Sequence, residues 1–156
     1  MLIEKDKRGI ELQLLYSDEN FSVPANVYII GMMNTADRSL AMLDYALRRR
    51  FSFFTMKPGF NTPGFQAYQD SLKNDAFNKL IACVKQLNSK IAEDISLGEG
   101  FCIGHSYFCG LTPETANAQT LSSIIEYELI PLLKEYWFDE PAKVIDWSDR
   151  LRSAVK

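Results

Sequence analysis

The chain has 156 residues, enough for one compact domain or two small ones, and carries 17 Lys and Arg against 20 Asp and Glu, a formal charge of −3. That balance gives no general attraction to nucleic acid or to an anionic membrane, no apolar run approaches the roughly 18–20 residues that span a bilayer, and Met1-Leu2-Ile3-Glu4-Lys5-Asp6-Lys7 does not read as a signal peptide. Cys83, Cys102 and Cys109 lack CxxC spacing and have only His105 for company, which excludes a zinc site and points to reduced thiols in a cytoplasmic protein.

In chain order, Met1 to Lys7 reads as the last turn of a helix, so the chain opens in the middle of a fold. Glu11 to Leu15 and Phe21 to Val23 read as short strands joined by a turn over Ser17-Asp18-Glu19-Asn20. Val27-Tyr28-Ile29-Ile30 is a continuous apolar run that suits a central strand of a parallel sheet. Ser39 to Arg50 reads as a helix with Leu40, Leu43 and Leu47 on one face, and Phe51 to Met56 as a further strand.

Composition changes at Lys57. Pro58-Gly59-Phe60-Asn61-Thr62-Pro63-Gly64 is a turn-rich connection, with Thr62-Pro63 placed as a helix cap and first helical residue. Phe77, Leu80, Ile81, Val84, Leu87 and Ile91 form a stripe at helical spacing, ended by Gly98 and Gly100. Ile103 to Phe108 starts a short helix, and Leu121 to Phe138 is a longer one that Pro131 should kink. Ser123 to Glu126 has the capping-box pattern. A last helix runs from about Pro141 to Val155, with Val144, Trp147 and Leu151 inward. The expected organisation is an incomplete α/β piece, 1–57, followed by an all-α bundle, 58–156, mostly helical overall.

Several residues are placed to do chemistry, and each has a plainer alternative. Asn34 follows an apolar strand, where an amide can orient water or touch a terminal phosphate, or can close a turn on its own backbone. Asp37 and Arg38 serve equally as a helix cap with a solvated base or as a pair reaching a subunit interface. Asn34-Thr35-Ala36-Asp37 also has the N-x-x-D shape that reads guanine in small GTPases. Arg48-Arg49-Arg50 suits the negative end of a helix dipole or an arginine finger acting on a neighbouring subunit's nucleotide. Gly104, His105 and Ser106 open a short helix whose amides can face phosphate, whereas a lone histidine is commonly structural. No G-x-x-x-x-G-K-[ST] loop and no apolar strand ending in Asp-Glu is present, so neither a phosphate cradle nor a metal site is recognisable in the sequence.

Taken together, Asn26-Val27-Tyr28-Ile29-Ile30-Gly31-Met32-Met33-Asn34-Thr35-Ala36-Asp37-Arg38-Ser39, Asp44-Tyr45-Ala46-Leu47-Arg48-Arg49-Arg50-Phe51 and Ile103-Gly104-His105-Ser106-Tyr107-Phe108 resemble the McrB type of GTP-dependent AAA+ subunit of modified-cytosine restriction systems. The resemblance implies that residues 1–57 are the C-terminal part of an AAA+ P-loop NTPase core and 58–156 its helical lid. It implies a sensor 1 role for Asn34, coupling to a nuclease subunit for Asp37 and Arg38, an arginine-finger role across a ring interface for Arg49 and Arg50, and a lid segment near the nucleotide for Gly104, His105 and Ser106. In the complete protein it implies GTP or ATP with Mg²⁺, a homo-oligomeric ring taken as a hexamer, a separate nuclease subunit, DNA reached through other domains, and no membrane. Cys102 stands where relatives often carry Arg, which brings a lid sensor of phosphate into question. The phosphate loop and metal-binding strand would precede Met1, so the chain alone is expected to bind no nucleotide tightly and to hydrolyse none. An ATP-driven remodeller with the same lid plan and a non-catalytic helical interaction module are the competing readings.

Overall fold

The computed structural model describes residues 2–33 and 48–156, which fall into two compact units, Met1–Thr55 and Met56–Lys156. Asn34, Asp37 and Arg38 lie outside the described residues, as does the 39–47 part of the helix expected over Ser39 to Arg50.

The first unit holds little regular structure. Lys5–Lys7 forms a single 3₁₀ turn where a helix end was expected. The expected hairpin is present but shorter than its sequence suggests. Strand β1 (Leu12–Gln13) pairs antiparallel with β2 (Asn20–Phe21), in a register that sets Leu12 opposite Phe21 and Gln13 opposite Asn20. Asn20 therefore belongs to the strand and not to the turn. The expected strands at 27–30 and 51–56 do not form. A strand exists only where a neighbour takes its N–H and C=O groups, and a parallel central strand also needs both faces covered. Among the described residues nothing pairs with either segment, and Tyr28 and Ile30 are about 90% exposed (88% and 91%).

The second unit is helical. Its helices are α1 (Pro63–Leu72), α2 (Asp75–Glu93), α3 (Ala118–Ile124), α4 (Ile130–Tyr136) and α5 (Pro141–Ala154). Thr62 caps α1 as its sequence suggests, its hydroxyl accepting from the Phe65 N–H at 3.3 Å, with Pro63 at the first helical position. Lys73, with φ of 48°, turns the chain directly into the Asn74 cap of α2, whose Oδ1 accepts from the Phe77 N–H at 2.9 Å. All six stripe residues of α2, Phe77 through Ile91, are buried, and α2 packs against α5. Helix α2 stops at Glu93, before the glycines assigned that role; Gly98 turns the chain afterwards, at a φ of +84°.

The long helix of 118–136 is uninterrupted but not uniform. A π turn, Ile125–Leu129, joins α3 to α4 just before Pro131, where the sequence suggests a kink. A widened turn is one way for a helix to absorb the donor that proline lacks. The helix starts at Ala118 under an Asn117 cap, so Ser123 to Glu126 is not a capping box. The Ser123 hydroxyl instead donates to the Gln119 carbonyl at 3.0 Å. Val144, Trp147 and Leu151 of α5 are buried as expected. No described helix is long and apolar enough to cross a membrane.

Candidate functional site

In the first unit, Arg48 lays its guanidinium over the Phe53 ring, 5.7 Å from the centroid. Arg49 is exposed, and with Arg50, Glu4 and Lys5 it lines an open depression. Arg50 Nε donates to Glu4 Oε1, and Lys7 Nζ meets the other carboxylate oxygen at 2.7 Å. Hydrogen bonds from Lys7 and then Arg50 pull the Glu4 carboxyl down to about 2, well below its ordinary range. In this arrangement Arg50 is held by an acid of its own chain.

In the helical unit, Gly104 precedes a 3₁₀ turn, His105–Phe108. Ser106 and Tyr107 are at the surface and Phe108 is buried. The His105 ring points inward. Its Nδ1 accepts from the Gly59 N–H at 3.0 Å, which places the proton of the neutral ring on Nε2. The ring meets Phe60 and Phe65 edge-on, at centroid distances of 6.2 and 5.7 Å, within an aromatic cluster that also holds Tyr68, Phe77 and Phe108. Gly59 is the only residue type that fits beneath it: a Cβ there would lie 2.9 Å from the imidazole.

Cys102 lies half-buried against α2, its thiol 3.5 Å from the Asn88 carbonyl, and burial pushes that thiol up. The side chain at 102 therefore packs on the helix. Three further residues fix this region and were not singled out from the sequence. Asn88 grips the backbone of Ile103 at two points: its Oδ1 accepts from the N–H at 2.7 Å and its Nδ2 donates to the C=O at 2.9 Å. The Tyr68 hydroxyl accepts from the Leu111 N–H and donates to the Phe108 carbonyl, both at 2.9 Å, and burial raises the phenol. Asp94 accepts from Trp137 Nε1 at 2.8 Å and Lys143 Nζ at 2.7 Å on one oxygen, and from the Ser96 backbone and hydroxyl on the other. These bonds, that from Lys143 foremost, hold the Asp94 carboxyl far below its usual range. Asn88 carried a weak signal, a polar residue beside Leu87 and one turn before Ile91. The partners that tie Asp94 and Tyr68 into the fold lie 40 or more residues away in sequence: Trp137 and Lys143 for Asp94, Phe108 and Leu111 for Tyr68.

Residues 79–145 match the family model of the McrB alpha-helical lid domain. The chain is 48% identical to the type IV methyl-directed restriction enzyme EcoKMcrB subunit of Escherichia coli (strain K12), over 97% of its own length and 35% of the relative's. It is also 32% identical to the type II restriction enzyme BsuMI component YdiS of Bacillus subtilis (strain 168), over 54% of this chain and 26% of that protein. The chain thus spans about a third or less of the curated relatives it matches.

Proposed function

From the premise that this is an McrB-type chain with an McrB lid in its helical unit, we propose that it works as part of a GTP-driven AAA+ ring that powers restriction of methylated DNA. The observation that carries this reading is the 48% identity across 97% of the chain, which includes the Asn34, Asp37, Arg38 and Arg48–Arg50 segments as well as the lid. In this reading Asn34 is the sensor 1 amide beside the terminal phosphate. Asp37 and Arg38 couple the motor to a nuclease subunit, and Arg49 and Arg50 reach a neighbouring subunit's nucleotide. A guanidinium delivered there stabilises charge building on the transferred phosphoryl group. For Arg50 to do so it must exchange Glu4 for phosphate, two partners of like charge. The segment of Gly104, His105 and Ser106 is the part of the lid closest to the nucleotide.

The described residues do not by themselves fit a nucleotide with its magnesium. His105 Nδ1 is engaged by Gly59, and among the described residues no group of three or more His, Cys, Asp or Glu could hold a metal. The sequence has no phosphate-cradling glycine loop. In this reading the β- and γ-phosphates and Mg²⁺ are held by parts of a longer protein, and the chain alone turns over neither GTP nor ATP.

Turnover of GTP against ATP by the complete reading frame, with and without Arg50→Ala, tests the proposal. GTP-selective turnover that falls about 10³-fold or more in the variant is the expected result. Turnover selective for ATP would move the protein to the remodelling ATPases. No turnover of either nucleotide would leave a helical interaction module.

A further inference from the structure

Gly59 is held on every backbone group it has. Its N–H donates to His105 Nδ1 at 3.0 Å, while its carbonyl accepts from the Thr62 N–H at 3.0 Å and the Thr62 hydroxyl at 2.7 Å. It is buried, as is Phe60, and the imidazole fills the space where a side chain at 59 would stand. The residue that leads into the helical unit is thus fastened to a turn 46 positions later. N-terminal to Gly59, Lys57 Nζ pairs with Glu99 Oε1 at 3.1 Å, an exposed ion pair of a kind that contributes little.

We propose that His105 is a positioning residue, a clasp whose Nδ1 fixes residues 59–61 to the rest of the helical unit. The consequence for the motor rests on the reading above. A lid whose connection is clasped moves as one piece with residues 59–61, so opening the clasp lengthens the slack and weakens transmission of lid motion. That loss falls on turnover more than on nucleotide affinity, because the clasp atom faces the protein interior and not a ligand.

The chemistry of the ring allows a sharp test, because the amide oxygen of Asn falls near the place of Nδ1 and the amide of Gln near that of Nε2. In the 156-residue chain, a through-bond coupling from the Gly59 N–H to His105 Nδ1 is expected by nuclear magnetic resonance, without any substitution. Hydrogen exchange at the Gly59 amide should quicken about tenfold in His105→Gln and in His105→Ala, and less in His105→Asn. In the complete reading frame, His105→Gln should lower kcat with KM for GTP within about twofold, His105→Asn should restore a larger part of it, and Gly59→Ala should resemble His105→Gln. Unchanged Gly59 exchange in His105→Ala, or rescue by Gln and not by Asn, would overturn the clasp, the latter by making Nε2 the working atom. If the complete protein hydrolyses no nucleotide, the motor reading fails while coupling and exchange at Gly59 still decide the clasp.

Discussion

Asp94 shows how much one side chain can tie together. It sits just past the end of α2, is about 10% exposed, and receives the Trp137 indole, the Lys143 ammonium and the Ser96 backbone and hydroxyl. Replacing it with Asn keeps the shape and removes the charge that all four donors share. Asp94→Asn is expected to cost about 1.5–3 kcal/mol at pH 7, the range for hydrogen bonds to an ionised group. Because folding lowers this carboxyl, its contribution is fully present above the unfolded-state value of about 3.9 and fades as pH falls below it toward the lower folded value. Urea unfolding of both proteins at pH 7 and pH 3 checks this. The gap should narrow at pH 3, and a constant gap would trace it to packing instead of charge. Local pattern shows only the turn to Ser96, because Trp137 and Lys143 are 43 and 49 residues away in sequence. His105 was open to two readings, a phosphate neighbour and the commoner structural histidine, and its acceptor nitrogen answers to Gly59, 46 residues earlier.

At the scale of elements, the segment 118–136 carries a stripe that an ordinary helix would not keep on one side. Leu121, Ile125, Leu129, Leu133 and Trp137 are all 0–1% exposed at intervals of four. Each interval advances the face by about 40° in a helix of 3.6 residues per turn, so four intervals would swing the stripe almost half-way round. The π turn at Ile125–Leu129 accommodates one extra residue, worth about 100° of rotation, and brings the later residues back toward the core. Deleting Glu128 should therefore rotate Leu129, Leu133 and Trp137 away from their neighbours and cost about 3 kcal/mol or more, as loss of several core contacts does. Tyr127→Ala, at a position 80% exposed in the same turn, should change stability by about 0.5 kcal/mol or less. Thermal melts followed by circular dichroism separate the two outcomes, and equal melting of both would refute the role of the odd residue. The sequence already sets Ile124, Ile125, Leu129, Leu132, Leu133 and Tyr136 inward at helical spacing, and of these Ile125, Leu129 and Leu133 are fully buried. Stripes of 3.6 period in α2 and α5 were legible because a helix supplies its own hydrogen bonds. The apolar runs at 27–30 and 51–56 were misleading because a strand takes its bonds from elsewhere.

The molecule as a whole is uneven in its sources of stability. Among the described residues every buried apolar side chain lies between Phe60 and Val155, while Tyr28, Ile30, Met32 and Phe54 of the first unit are largely exposed. Residues 56–156 produced alone should therefore keep the helical signal of the 156-residue chain and melt within about 5 °C of it, a shift that corresponds to about 1 kcal/mol. Loss of cooperative melting in that piece would mean that the first unit contributes to the core after all. The uneven core also settles what light can report. Both tryptophans of the chain, Trp137 and Trp147, are buried in the helical unit, each with a cation over its ring: Lys143 at 4.5 Å and Arg150 at 4.9 Å. Intrinsic indole emission therefore originates in the helical unit alone and is tuned at Trp137 by the very carboxylate that joins α2 to α5.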